Sequence, residues 1–290
     1  PSDNPVLLAP LTDVLNAKLS AEMAGAVAGF AQQYYQTSTP DELSERSLDN
    51  LYGATLSCWQ FLQSFSGTQP KVRVYNPDLE KHGWRSQHTV IEIVQRDMPF
   101  LVDSVRMELN RRGLVIHTIH NAVLCMVRDD GKLIDLVGTD NKAAQAESVI
   151  YLEVDRTSDK TELKAILTSL QQVLEHVRIA VDDYAPMQAR AQALLDELSQ
   201  CQGDQDNAEM QDFLRWMLNN RFTFLGYDEL SIEGDRVQRV EGSELGILKL
   251  YQTEGLGSFS LLDDLRDVER DFLLQPTPLK FAKDFHHSLV

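Results

Sequence analysis

The stretch QHTVIEIVQRDMPFLVDSVRMELNRRGLVIHTIHNAVLCMVRDDGK, residues 87–132, decides the fold of this chain. Val90 to Val94 is a compact apolar run that predicts a buried strand. Asp97-Met98-Pro99 breaks it and opens a helix, with Pro99 suited to the first turn, where no backbone N–H is needed. Leu101, Val102, Val105 and Leu109 supply the buried face of that helix, and Gly113 stands at its C′ position. Val115 to Val127 is strand again. Asp129-Asp130-Gly131 reads as a hairpin turn leading into Leu133 to Val137.

Downstream, Lys142 to Glu147 reads as a surface excursion. Ile150, Leu152 and Val154 then alternate with Tyr151, Glu153 and Asp155 as in a half-buried strand. Leu163, Ile166, Leu167, Leu170, Leu174 and Val177 mark a long amphipathic helix. The order βαβββα, with helices on one face of a sheet, predicts an α+β sandwich of the ferredoxin-like kind.

Upstream, Leu11, Val14, Leu15, Leu19, Met23, Val27, Phe30 and Tyr34 form one stripe of a single long helix, weakened at Gly25 and Gly29. TPDE at 39–42 forms a capping box, and a further helix runs through Leu48, Leu51, Tyr52, Thr55, Trp59 and Leu62. VRVYN at 72–76 is strand-like. After Met187 to Leu198, in helix, the polar stretch SQCQGDQDN at 199–207 is the best boundary. Met210 to Leu218 is helical and runs into FTFLGYDEL and VQRV, the start of a second α+β unit, with LLDDLRDVER helical or mixed. The expected organisation is a helical unit over 1–70, an α+β domain over 71–199 and a truncated second α+β unit over 200–290.

The charge of -17, from 27 basic and 44 acidic residues, repels a phosphate backbone and an anionic bilayer. Nucleic acid and membrane are therefore excluded as expected partners. Cys58, Cys125 and Cys201 fit neither a disulfide framework nor a zinc knuckle, and Cys58 and Cys125 fall in apolar patterns. A cytoplasmic location is expected. The sequence opens PSDN without an initiator Met and closes on FAKDFHHSLV, which reads like a strand interior, so a fragment of a longer polypeptide is expected.

Motifs for chemistry are sparse. His117 and His120, three apart in a strand, point to opposite faces, and His286-His287 makes no better ligand pair. GLGS at 255–258 lacks the Lys-Ser/Thr of a phosphate loop, and no GxGxxG is present. The loop Arg96-Asp97-Met98-Pro99-Phe100 is the better candidate, since a helix start offers free N–H groups to a carboxylate. Two readings stay open there: docking of a small acid, or a tight turn in which Asp97 caps the helix and Phe100 packs inward. On the strand Asn121 to Val127, Val123, Cys125 and Val127 face one way and Ala122, Leu124 and Met126 the other. Helices on one side cannot cover both sets, so pairing with the FTFLGY unit (Phe222, Phe224, Tyr227) or with a second chain is expected.

Trp84-x-Ser86-x-His88-Thr89-Val90, RDMPFLVDSV at 96–105, Gly113, the His120 strand, Val127-Arg128-Asp129 with Gly131, and FLRWMLNNRFTFLGYDEL at 213–230 resemble the N-terminal region of the large bacterial NAD-specific glutamate dehydrogenases. The resemblance covers roughly 84–240. It implies a cytoplasmic, oligomeric parent that oxidises glutamate to 2-oxoglutarate and ammonia with NAD, with hydride transfer far downstream. It further implies modules resembling ACT domains, βαββαβ regulatory units that often bind amino acids. Catalytic, metal and cofactor residues would then be absent from this chain, whose partners would be the rest of the polypeptide, sister subunits and an amino-acid effector. Asp97, Pro99 and Leu101 stand in the frame of the usual Asp-x-Pro-Gly-Leu turn, which marks Asp97, Pro99, Phe100, Leu101 and Val102 as the effector-site positions. Phe100 replaces the glycine that lets a ligand approach the backbone, and His120 is followed by Asn121 rather than Pro. The expected roles are therefore a non-catalytic regulatory and assembly region, an amino-acid sensor, or a purely structural interaction domain.

Overall fold

The computed structural model of the chain describes residues 8–39, 43, 46–138, 141–200, 205–233, 236–251, 258–260 and 283–284. It divides into two compact units, residues 1–175 and 176–289. All of the TPDE box but Thr39, LLDDLRDVER and His286-His287 lie outside the described residues, as does most of GLGS.

The first unit opens with helices α1 (Ala9–Lys18), α2 (Ala21–Tyr34) and α3 (Leu48–Leu62). The single long helix expected over 11–35 is two helices. Leu19 leaves the helical region at ψ 163, and the Ser20 hydroxyl, in extended conformation, accepts from the Met23 N–H and starts the second. An N-cap serine offers one of the orphan helix donors a partner, which outweighs continuity of the apolar stripe. Ser47 caps α3 in the same way, through Asn50 N.

Five strands follow: β1 (Lys71–Tyr75), β2 (Thr89–Arg96), β3 (Ile116–Asp129), β4 (Lys132–Val137) and β5 (Gln145–Val154). A short helix α4 (Leu79–His82) precedes β2, α5 (Leu101–Arg111) joins β2 to β3, and α6 (Lys160–Asp182) follows β5. The sheet order is β1-β2-β5-β3-β4, antiparallel throughout. The hairpin between β3 and β4 turns through Asp130 at φ 45 and Gly131 at φ 74, the two left-handed positions of a turn that matches strand twist. Outside the βαβββα core, β1 arrives from the N-terminal side and fills the edge beside β2.

Strand register assigns the faces. Val90, Glu92, Val94, Ala122, Leu124, Met126, Val149 and Tyr151 point to one side. All but Glu92 join a core with Leu11, Leu15, Val27, Phe30, Tyr34, Leu51, Cys58 and Leu62 of α1–α3. Ile91, Ile93, Ile150, Leu152 and Val154 point to the other side and are fully buried. There α5 contributes Leu101, Val105 and Leu109 and packs on β3. Arg112, at its end, ties α6 alongside by donating to Ser169 Oγ at 2.8 Å and to Ala165 O at 3.1 Å. The expectation of helices on one face only is thus corrected: the helical unit covers the second face within the same chain. Trp84 wedges against Gly53 of α3, where a Cβ would fall 2.3 Å from that of Trp84.

In the second unit, α7 (Tyr184–Gln200) and α8 (Gln205–Trp216) lead through a π turn at Met217–Arg221 into short strands. β6 (Phe222–Thr223) pairs with β12 (Lys283–Asp284), and β7 (Gly226–Tyr227) with β10 (Leu245–Gly246). β8 (Leu230–Glu233), β9 (Arg236–Arg239) and β11 (Ser258–Ser260) form a third small sheet. The core is Met187, Ala191, Leu195, Leu214, Met217, Phe222 and Phe224. Phe222 and Phe224 are therefore internal packing residues of this unit, while Tyr227 is half-buried and donates to Glu229 Oε1 at 2.7 Å. Asp183 accepts from Gly246 N at 2.6 Å and from Lys249 Nζ, tying the start of α7 to the strands.

Candidate functional site

The loop between β2 and α5 is built from the strand outward. Asp97 N donates to Ala146 O at 2.8 Å, extending the ladder of β2 against β5 by one bond. The Asp97 carboxylate accepts from the buried Ser148 hydroxyl at 2.6 Å. It does not cap α5, contrary to one of the two readings of the loop. The N-cap is Phe100, at φ 73, and no side chain caps the helix. Asp97 lies on the strand side of Pro99, and Ser148, a buried hydroxyl facing it on β5, holds it there.

Phe100 is half-buried, so it neither fills the core nor leaves the surface. Leu101 is buried, Val102 is half-buried and Pro99 is exposed. Around this helix start lie polar groups inside otherwise apolar elements: Gln95 on β2, Ser104 in the first turns of α5, Asn121 on β3 and Ser148 on β5. Gln95 Oε1, Ser104 Oγ and Asn121 Oδ1 are buried without a hydrogen-bond partner. Such groups cost about 1–3 kcal/mol each when left unpaired. The sequence signal was available: Gln95, Asn121 and Ser148 stand at inward positions of apolar strands, where alternation calls for Ile or Val.

Val123, Cys125 and Val127 lie on the α5 face of β3. Val123 is 50% exposed, whereas its neighbours Ala122 and Leu124 on the other face are buried. Cys125 and Val127 are half-buried. Register brings Val123 opposite Ser148, and Ser148 opposite Gln95. This apolar strip therefore borders the polar groups below the loop.

A second constellation sits at the opposite end of the sheet. Glu153 accepts from Arg46 Nη2 at 2.9 Å, Ser86 Oγ at 2.9 Å and Tyr151 OH at 2.6 Å, and lies 3.0 Å from His88 Nδ1. Burial pushes its carboxyl up, but these donors outweigh it and hold it below the ordinary glutamate value. His88 stacks on His117 at 4.1 Å, and His117 Nε2 lies 2.7 Å from Asp155. His120 turns to the other face, with Nε2 donating to Tyr34 O at 2.7 Å and its ring edge-on to Tyr34. His117 and His120 are thus not brought together. Under α3, Glu92 is buried against Arg73, whose guanidinium also donates to Ser57 O and Oγ and lies over Phe61 and Tyr75. Burial pushes the Glu92 carboxyl up, opposed by Arg73.

Among the described residues no group of three or more His, Cys, Asp or Glu side chains is assembled to hold a metal. The described residues of the first unit do not fit a dinucleotide either. The sheet is antiparallel, so it has no common carboxyl edge at which a nucleotide crevice forms. The strand–helix junction after β2 carries Phe100 where a phosphate cradle needs glycine.

The family model for the glutamate dehydrogenase ACT1 domain matches residues 30–170. Residues 30–170 are an ACT-like domain homologous to that of NAD-specific glutamate dehydrogenases. The NAD-specific glutamate dehydrogenase of Halomonas elongata is 45% identical over 296 residues, covering 98% of this chain and 18% of that protein. That of Pseudomonas aeruginosa is 43% identical over 271 residues, covering 90% of the chain and 16% of the protein. The chain spans less than a fifth of the length of these relatives. In this ACT-like domain the edge beside β2 is filled by β1, which precedes it in the chain, and β4 widens the sheet at the other edge. None of its described helices is long and apolar enough to cross a membrane.

Proposed function

We propose that this chain is a non-catalytic regulatory and assembly region of an NAD-specific glutamate dehydrogenase. The parent would convert L-glutamate, NAD and water to 2-oxoglutarate, ammonia and NADH in the cytoplasm, as a homo-oligomer. The observation that carries the reading is the ACT1 match on an antiparallel sheet whose strand–helix junction cannot cradle a pyrophosphate. In this reading residues 1–70 cover the sheet, 71–199 form the module with its trailing helices, and 200–290 begin the next α+β unit. NAD and the residues of hydride transfer belong elsewhere in the parent. The test compares the purified chain with the complete polypeptide. The complete polypeptide should reduce NAD in the presence of glutamate, and the chain alone should not. Turnover by the chain, or none by the complete polypeptide, overturns the reading.

A second reading is supported by the uncapped start of α5 and the three unpartnered buried atoms near it. In it the module senses an amino acid, with Asp97, Pro99, Phe100, Leu101 and Val102 around the ligand carboxylate and the helix start supplying N–H donors. The strip Val123, Cys125 and Val127 would be its wall or a contact with a neighbouring module. Calorimetric titration of the chain with a panel of amino acids tests this. Saturable binding weakened by Asp97→Ala supports the sensor, and a flat titration leaves the loop a structural turn.

A further inference from the structure

A cleft of about 510 Å³ runs along α2, opposite β4, with Phe30, Trp59, Leu133 and Leu136 among its apolar lining. Gly25 and Gly29, one helical turn apart, line it. A Cβ built at either would meet nothing within 4 Å, so the fold itself does not demand glycine there. Each nevertheless weakens the helix relative to alanine. Two glycines at i and i+4 let a second backbone approach closely. Met23, 44% exposed, and Ile134, 62% exposed, also line the cleft, from α2 and from β4.

We propose that this cleft receives an amphipathic helix from the part of the polypeptide outside these 290 residues, with an aliphatic stripe flanked by Lys and Arg. The inference rests on the reading that the chain is part of a longer glutamate dehydrogenase. Charge selects the occupant. Glu22 and Asp135 line the cleft from its two sides, and neither forms an ion pair among the described residues. Each copy of the chain carries -17, so a second copy would bring like charge onto like charge. Geometry favours a helix over an added strand. The outer edge of β4 is already bonded at its start, where Leu133 N donates to Gln63 O and Phe65 N to Gly131 O. Beyond that the register slips, with Val127 opposite Asp135 and Arg128 opposite Leu133, leaving Ile134 as a bulge that spoils a regular ladder. α2 itself, at 14 residues, offers a seat about 21 Å long.

The experiment uses the complete polypeptide with photoreactive benzoylphenylalanine at position 23 or 134. Irradiation should give cross-links from both positions to one helical segment outside residues 1–290, rich in Lys or Arg. Gly29→Leu, which fills the cleft, should reduce the yield at least tenfold. Gly25→Ala with Gly29→Ala should raise the thermal midpoint of the 290-residue chain while lowering the yield several-fold, a combination that neutral surface glycines would not produce. Cross-links within residues 1–290, to a second copy in mixed-isotope samples, to an acidic segment, or insensitive to Gly29→Leu overturn the proposal, as does the absence of cross-links. If the complete polypeptide still reduces NAD with glutamate in that case, this inference alone fails. If it does not, the functional reading fails first.

Discussion

Phe100 stands where both its left-handed backbone and the Asp-x-Pro-Gly-Leu pattern call for glycine, and two substitutions there separate backbone from side chain. At φ 73 it pays the left-handed penalty, about 1–2 kcal/mol for a residue with a Cβ. Its ring is half-buried, so truncation should cost less than the 3–5 kcal/mol of a fully buried phenylalanine, about 1–2 kcal/mol on burial area. Phe100→Ala keeps the backbone penalty and loses the ring, giving a net loss of about 1–2 kcal/mol. Phe100→Gly loses the same ring but removes the penalty, offset by about 0.5–1 kcal/mol of extra freedom in the unfolded chain. Glycine should therefore be more stable than alanine by about 0.5–1 kcal/mol. Urea unfolding with midpoints followed by far-ultraviolet circular dichroism measures the difference. Alanine equal to or better than glycine would refute the left-handed assignment and, with it, the account of how α5 begins. The same glycine variant clears the space above the helix start, so amino-acid titrations on it test whether the phenyl ring is what obstructs binding.

Three further outcomes are expected. Asp97→Ala should cost about 1–3 kcal/mol by stranding the buried Ser148 hydroxyl, and adding Ser148→Ala should recover most of it; no recovery would mean Asp97 acts through some other contact. Arg73→Met should cost about 3 kcal/mol at neutral pH, the low end for breaking a buried pair, because Arg73 is itself 32% exposed. The Glu92 carboxyl is already raised by burial, and losing Arg73 raises it further. The deficit should then be full above the raised value and shrink as pH falls through it; a pH-independent deficit would show that lost packing on Phe61 dominates. Glu153, whose folded value is depressed, contributes stability that is present above the ordinary glutamate range and lost as pH falls through the depressed value. Glu153→Gln should flatten that acid limb in a pH series of thermal midpoints, and an unchanged limb would remove Glu153 from the account.

The strands and helices of the first unit were legible because their apolar spacing is clean. Ile91 and Ile93, Ile150 and Leu152, and Leu101, Val105 and Leu109 each fit one period and end in the buried positions that period assigns. The break at Ser20 was not legible from the apolar stripe, which runs on through Leu19 and Met23 as if the helix were continuous. It could have been read from the serine, a capping residue followed two places later by an acidic side chain in the first turn. The cover of the second sheet face was also beyond the local pattern. Ala122, Leu124 and Met126 announced that something must cover them, but periodicity within one strand carries no information about which element arrives.

The candidate site shows the same limit in sharper form. Asp97 before a helix reads as a cap because that is the commonest use of an aspartate there. Its alternative partner, Ser148, lies 51 residues away and reaches it only because register sets β5 beside β2. Ser148 faces Gln95 in that register and Val123 on the opposite neighbour, so one serine connects the loop, the buried polar groups and the half-open strip of β3. Gln95, Ser148 and Asn121, two residues before Val123, each break the alternation of their own strand, and a break repeated on three adjacent strands is a cross-strand signal. Reading it requires the strand order β2-β5-β3, in which the central strand comes last in the chain. A strand order that departs from chain order is therefore what kept the site hidden: the polar breaks were visible singly, but the sheet alone makes them neighbours beneath an uncapped helix start.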